Sequence, residues 1–192
     1  MERYLKMIKR IFDLVFSIIL LVILAPLFVA VGILIKLDSP GPVFFKQKRV
    51  GKDNKDFMVY KFRSMSEGTP DGAKEDLGEE NSYVTRVGKI IRQFTIDELP
   101  NLFNVVRGEM SLVGPRPPHY TQYDLIKMRT KAGVHKVKPG IAGYAQIMKT
   151  GGEDLATKVE CDKYYVEHMS LWLDIKIIIK TAIMRFSSKE TF

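Results

Sequence analysis

Two adjacent carboxylates, Asp97 and Glu98, stand at the opening of an apolar-periodic segment, directly after Thr95. Thr95-Ile96-Asp97-Glu98 reads as a capping box, with Thr at the N-cap and Glu three residues on. The helix it predicts runs through Leu99, Leu102, Phe103 and Val106 and stops at Gly108. Acids in a first turn sit beside unpaired N–H groups and the positive end of the helix dipole, which favours their ionised form. An ionised aspartate so held is a potential nucleophile, and its neighbour a potential ligand for a divalent cation. The plainer alternative is an ordinary first turn in which Glu98 only closes the box.

The cationic candidates lie elsewhere in the chain. Arg116 is fixed between Pro115 and Pro117, which restrict the backbone on both sides and leave a guanidinium on a stiff arm. Such an arm suits a two-pronged grip on phosphate; a rigid surface turn is the alternative. Lys61 and Arg63 alternate along a β-prone run and so share one face, either phosphate-facing or solvated. Arg92 ends the helix predicted over residues 84–94 and either orients Asp97 or points to water. His119, His135 and His168 have no metal-ligand spacing and read as packing or surface residues. Cys161 is the single cysteine, so no internal disulfide forms, and a reducing, cytoplasm-facing domain is expected.

The elements that must position these residues begin with an apolar run over residues 14–35, broken at Pro26. As a straight helix it would reach roughly 33 Å, enough to cross a bilayer core. Pro26 lacks an N–H, and its ring would collide with the Val22 carbonyl, so a kink or break is expected there. Arg3, Lys6, Lys9 and Arg10 precede the run, and Lys36, Lys46, Lys48 and Arg49 follow it. A spanning helix has one basic side. Both a Pro-kinked span and a hairpin that returns to the same face fit the run, and the symmetric flanks lean toward the hairpin. The run is too long for a secretory signal core and has no small-residue cleavage site after it, so it is read as retained.

Ser39-Pro40-Gly41-Pro42 makes a rigid exit, followed by a β-hairpin over residues 43–50 and 57–63 with a polar turn between. Residues 66–82 are acidic and Gly-containing, the pattern of a surface loop. Residues 120–131 read as helix, and residues 141–147 as loop or strand after the Lys138-Pro139-Gly140 turn. Near the end, Leu171, Ile175, Ile178, Ile179, Ala182, Ile183 and Phe186 form one apolar stripe, with Lys176, Lys180 and Arg185 off it. That helix either packs into a core or lies in a membrane interface with Trp172 at headgroup level; the apolar start of the chain favours the second. The net charge of +8 implies an anionic partner. Lipid headgroups or a phosphorylated substrate fit; nucleic acid does not, because the basic residues are scattered and no recognised binding motif is present.

Four segments in order, Lys61-Phe62-Arg63-Ser64-Met65, Asp97-Glu98-Leu99-Pro100, Ser111-Leu112-Val113-Gly114-Pro115-Arg116-Pro117 and Lys138-Pro139-Gly140-Ile141, behind an apolar N-terminus, resemble the bacterial sugar transferase family. The resemblance is to its small monotopic polyprenyl-phosphate phosphoglycosyl transferases and covers nearly the whole chain. It implies a phosphosugar transferred from a UDP-sugar to polyprenol (undecaprenol) phosphate, with release of UMP and the start of glycoconjugate assembly. Asp97 matches the nucleophile that forms a covalent aspartyl-phosphosugar, Glu98 the acid that holds Mg²⁺, Arg116 the Pro-Arg element near the phosphates, and Arg92 a basic residue beside the dyad. Lys61 and Arg63 lie in the first matching segment. Pro26 matches the break of a re-entrant membrane hairpin. Where the family often has Ser before that proline, this chain has Ala25; the missing hydroxyl removes one bond to a freed carbonyl. Tyr144 replaces a frequent Trp, and residues 148–158 diverge, so the sugar is left open.

The expected fold is α+β: a membrane-associated re-entrant hairpin over residues 1–38, then a cytoplasmic catalytic domain over residues 39–192. That domain is mostly helical, with a short β-hairpin and a C-terminal interfacial helix over about residues 169–186. The expected partners are a UDP-sugar, polyprenol phosphate and membrane lipid at the inner (cytoplasmic) membrane. The competing class is a non-catalytic membrane-anchored module that binds anionic lipid, which has no need of the Asp97-Glu98 pair.

Overall fold

The computed structural model describes residues 2–69, 83–148 and 154–187, with side chains from Met7 to Met184. Most of the loop expected over residues 66–82, and the side chains of Arg185 and Phe186, lie outside the described residues. The architecture is α+β. Helix α1 (Glu2–Ile23) and helix α2 (Ala25–Asp38) meet at a break of 60°. Pro26 occupies the first turn of α2, where its missing N–H costs least. No single helix among the described residues is long and apolar enough to cross a membrane, but this bent pair meets the length and composition test together.

Strands β1 (Phe44–Val50) and β2 (Asp56–Phe62) pair antiparallel, with Phe44 opposite Phe62, around a turn in which Asp53 and Asn54 both take positive φ. Asn and Asp tolerate that backbone better than other side chains do. Helix α3 (Arg86–Gln93) is capped by Thr85 Oγ1, which accepts from Gly88 N at 2.9 Å. Asp38, at the end of α2, accepts from Val87 N at 2.9 Å and so ties the exit of the helix pair to α3. Gly88 cannot be exchanged freely, because a Cβ there would meet the Ser64 carbonyl.

Helix α4 (Asn101–Arg107) ends at Gly108 with φ +83, as the sequence predicts. Strands β3 (Ser111–Val113) and β4 (Gly140–Ala142) pair in parallel, a pairing the sequence reading did not contain. Their backbones approach so closely that a Cβ on Gly140 would strike Gly114, and one on Gly114 would lie 2.9 Å from Gly140 N. Helix α5 (Tyr123–Lys131) makes the crossover between them; the short α6 (Tyr144–Ile147), α7 (Leu155–Glu167) and α8 (Leu171–Ser187) complete the chain.

Two clusters form the core. Val59, Leu102, Val105, Met110, Val113, Tyr165 and Ile177 centre one; Val31, Ile35, Phe62 and Ile91 make the other. Both draw on the bent pair, since Phe12, Leu21 and Leu24 pack on the first and Phe28 on the second. The break therefore lies against protein on its inner side, with Phe28 edge-on to Phe62 at 5.0 Å. Its other side carries exposed Val22, Ile23, Val29, Ile33 and Leu37.

Helix α8 turns Asp174 and Ile177 inward and leaves Trp172, Ile179 and Ile183 in the open, Trp172 at 76% exposure. Most of the apolar stripe read from the sequence thus faces out; what anchors the helix is Asp174, which accepts from Lys9 at 2.6 Å and from the Tyr165 hydroxyl at 2.7 Å.

Candidate active site

Asp97 and Glu98 do not open a capped α-helix. Thr95 takes a left-handed backbone (φ 57, ψ 24) without capping the turn, residues Ile96–Glu98 form one turn of 3₁₀-helix, and α4 begins only after Pro100. A β-branched residue at positive φ is strained by about 1–3 kcal/mol. The kink between α3 and α4 presents the two carboxylates at a corner rather than along a helix face. The capping box fails because Glu98 has stronger partners than a backbone N–H.

Those partners are two of the predicted cations. Lys61 Nζ donates to Glu98 Oε1 at 2.9 Å. Arg116 grips the same carboxylate with both prongs, Nη1 to Oε2 at 3.1 Å and Nη2 to Oε1. Glu98 is buried at 7% exposure. Burial works against its charge, but Arg116 and Lys61 outweigh it, so the carboxyl stays ionised well below the usual range. The Glu98 carboxylate in turn pushes the Arg116 guanidinium up.

Asp97 behaves oppositely. Burial pushes its carboxyl up to about 6, with the Glu98 charge adding to the rise, while Lys61, Arg92 and Arg116 pull it down. The ionised form expected for both acids of a first turn holds for Glu98, whereas at Asp97 desolvation is the largest influence. The two neighbouring acids therefore part company, one locked as an anion and one poised near neutrality, an arrangement typical of reactive sites.

Arg116 owes its placement to its neighbours' carbonyls. Pro115 O accepts from Gly140 N at 3.0 Å and Pro118 O from Val50 N at 3.1 Å. Arg116 O accepts from Arg129 Nη1 at 2.7 Å, and Pro117 O from Arg49 Nη1 at 3.3 Å. Arg129 is itself held by buried Asp162, whose Oδ2 accepts from Nε at 2.9 Å and also from Nη2. Neither Arg129 nor Arg49 emerged from the sequence as a site residue. Asn104 was missed too: fully buried, it accepts from Tyr60 N at 3.1 Å and donates to Met58 O and Glu109 Oε2, both at 2.7 Å. It thereby registers α4 against the strand that carries Lys61.

Arg63 is a correction. It does not join Lys61 at Glu98: its guanidinium donates to Ser39 O at 2.8 Å and to Pro40 O. It braces the exit from α2, and a Cβ on Gly41 would collide with it. Its charge is engaged by backbone carbonyls rather than offered to a phosphate.

Lys61, Glu98, Asn101, Met110, Arg116 and Ile141 line a small cleft at this corner. Asn101 is buried there with its Oδ1 lacking a hydrogen-bond partner. An orphaned buried carbonyl oxygen of this kind calls for a donor or a cation.

The family profile described as Bacterial sugar transferase matches residues 4–188. The chain belongs to this family. It is 47% identical over 196 residues to the undecaprenyl-phosphate glucose phosphotransferase of Komagataeibacter xylinus, across 96% of this chain and 37% of that protein. It is 45% identical over 179 residues to the UDP-N-acetylgalactosamine-undecaprenyl-phosphate N-acetylgalactosaminephosphotransferase of Aeromonas hydrophila, across 91% of this chain and 42% of that protein. An uncharacterized sugar transferase of Bacillus subtilis is 39% identical over 180 residues, covering 91% of this chain and 85% of itself. The chain thus spans about two-fifths of the length of the first two relatives and most of the third. In this member of the bacterial sugar transferases the four matching segments converge in space: Lys61 on β2, Asp97-Glu98 at the α3–α4 corner, Arg116 after β3, and Lys138-Pro139-Gly140 beside it at the start of β4.

Proposed function

We propose that this chain moves a sugar 1-phosphate from a UDP-sugar to a polyprenol phosphate, with Asp97 as the nucleophile. An Asp97 carboxylate oxygen bonds to the β-phosphorus, the bond from that phosphorus to the bridging oxygen breaks, and UMP departs with the electron pair. An oxygen of the polyprenol phosphate then attacks the phosphorus of the aspartyl-phosphosugar. Polyprenol-diphosphate-sugar leaves, and the carboxylate is restored. A covalent intermediate lets a soluble and a lipid-held substrate use one site in turn. The observation that carries this reading is the division of labour at the corner: Glu98 held ionised by Lys61 and Arg116, and Asp97 beside it with its carboxyl near neutrality.

Mg²⁺ fits this donor set. Two oxygens of Glu98 offer about four lone-pair directions, and Lys61 with the two Arg116 prongs takes three of them. Among the described residues no group of three or more acidic, His or Cys side chains gathers. The site thus suits an ion that leans on substrate phosphates and only one or two carboxylates, as magnesium does. Asp97, Glu98 and the unpartnered Asn101 Oδ1 are the residues that would hold it. It would supply neutralisation of phosphate charge; Arg116 and Lys61 supply the rest from fixed positions.

The bent α1–α2 pair is read as a hairpin that enters and leaves one face of the inner membrane, leaving the reactive corner on the cytoplasmic side. The exposed apolar residues of the hairpin and of α8 are its lipid-facing surface. In a Cys161→Ser background, single cysteines at positions 3 and 46 should label from the same side of sealed vesicles. Labelling from opposite sides would make the pair a kinked span.

The chemistry is tested by exchange. Labelled UMP should enter the UDP-sugar pool with Mg²⁺ and no polyprenol phosphate present, because the first half-reaction is reversible by itself. An enzyme that turns over but shows no such exchange uses direct attack by the lipid. A panel of UDP-sugars in the same assay would name the donor.

A further inference from the structure

A second basic site lies beside the reactive corner but outside its cleft. A cavity of about 220 Å³ opens between the start of α1, the turn after β1 and the segment before β4, and it shares no lining residue with the Glu98 cleft. Lys9, Arg10, Lys52, Lys136 and Lys138 line it, with Asp13 as the sole carboxylate. Asp13 is buried and accepts from Leu112 N at 3.1 Å, and Lys9 is neutralised by Asp174. Arg10 donates to the carbonyls of Val105 at 2.6 Å and Val106 at 2.9 Å, which hold its position and engage part of its charge, with no ion pair to a carboxylate among the described residues.

Arg10 and Lys138 converge. A Cβ on Gly108 would lie 3.4 Å from Arg10 Nη2 and 3.5 Å from Lys138 Nζ. Among the described residues no carboxylate pairs with Lys136 or Lys138. Burial, together with Arg10 and Lys52, holds the Lys138 ammonium below the usual lysine range against the opposing pull of Asp13. Like charges gathered in a partly enclosed space repel, and one buried carboxylate offsets only part of that repulsion. The volume leaves room for a phosphate and part of its ester.

We propose that this cavity binds the phosphate of an anionic ester, supplied by a phospholipid headgroup. The source is argued from position, and this part rests on the membrane reading above. Lys9 and Arg10 stand where the apolar leg of α1 begins, and Met169, also in the lining, leads into α8 with its exposed Trp172. The cavity therefore sits at the level where headgroups would lie. It also gives Lys138, in a segment the proposed chemistry does not use, a task of its own.

The test is a lysine footprint on the full chain in phosphatidylcholine vesicles, with and without phosphatidylglycerol, read as acylation rates by mass spectrometry. Lys136 and Lys138 should be protected about fivefold relative to exposed Lys127 when phosphatidylglycerol is present, the worth of one basic residue at an anionic surface. Protection confined to that arm identifies the phosphate of an anionic headgroup, because the phosphate of phosphatidylcholine is already paired with its own choline cation. Protection in pure phosphatidylcholine on adding glycerol 3-phosphate supports the same cavity with a soluble ester as its ligand. Equal rates in every arm, or an equal slowing of all lysines including Lys127, would overturn the proposal. Lys52→Ala, on an exposed turn, should weaken the protection at Lys138. The footprint reads no turnover, so loss of the transfer reaction leaves it interpretable, and the soluble-ester arm reports on the cavity even if the hairpin proves to be a span.

Discussion

Asp97→Asn is expected to lose activity and gain stability at once. Activity should fall by at least about 10³-fold, because the amide oxygen is a poor nucleophile and no neighbouring group replaces it. With donor alone, the wild-type chain should gain the mass of a phosphosugar and the variant should not. A variant that still turns over near the wild-type rate would remove Asp97 from the reaction. The stability effect follows from the same burial. The folded chain holds the Asp97 proton up to about pH 6, and the unfolded chain releases it near 3.8. Between those values the folded state binds more protons, so stability falls as pH rises through the window. Above pH 6 the ionised carboxylate is a standing cost, which Asn removes.

A full shift of that size would be worth roughly 3 kcal/mol, and partial exposure of the corner reduces it to on the order of 1–2 kcal/mol. At about 2–4 °C per kcal/mol for a chain of this length, the melting point of donor-free, metal-free protein should rise a few degrees at pH 8 and stay put at pH 4. An unchanged melting point at both would mean that Asp97 is not desolvated. With donor and Mg²⁺ supplied, donor capture by the wild type should increase with pH as the Asp97 carboxyl ionises.

Arg129→Leu is expected to be the most destabilising single change near the site. It strands Asp162, which is 1% exposed and whose carboxyl burial already pushes up against the pull of Arg129. Breaking one side of such a pair costs about 3–5 kcal/mol, or roughly 10 °C in melting temperature. It also removes the donor to Arg116 O. The double change Arg129→Leu with Asp162→Leu should restore much of the stability, since an apolar pair can replace a buried ionic one. It should not restore transfer, because the Arg116 carbonyl remains untied. If the double variant recovers wild-type kinetics along with its melting point, Arg129 is structural and has no hold on Arg116.

How much of this was legible beforehand depends on the range of the interaction. The break at Pro26, the β1–β2 hairpin, the stop at Gly108 and the outward stripe of α8 are local or periodic, and sequence patterns carry them directly. Arg116 and Lys61 could be shortlisted from their surroundings, but not the fact that both close on Glu98, since those contacts join residues far apart in the chain. Arg63 was misgrouped because alternation says nothing of which partners a side chain meets, and the Ser39 and Pro40 carbonyls of the α2 exit take its guanidinium. The capping box failed because the rule weighs a carboxylate against a backbone N–H and knows nothing of a distant guanidinium. Asn104, Arg129 and Asp13 left no signal, because a buried polar residue in one sequence looks like any solvated one until its partner is in view. Asp13 at the head of an apolar leg was the nearest to a clue.

The run Pro115-Arg116-Pro117-Pro118 offers four successive carbonyls, which accept from three elements: β4, α5 and, twice, β1. The backbone of a segment so rich in proline can give almost no hydrogen bonds back, so its path is held by β1, β4 and α5, with the Arg116 side chain tied to Glu98. This has a bearing on how such proteins diversify. A change of donor sugar cannot easily be made by re-aiming this arm, because three separate elements would have to shift together. Variation in what is accepted should instead collect in parts of the chain that no such tether restrains, and chimeras that exchange only those parts are the practical way to swap preferences while keeping the chemistry intact.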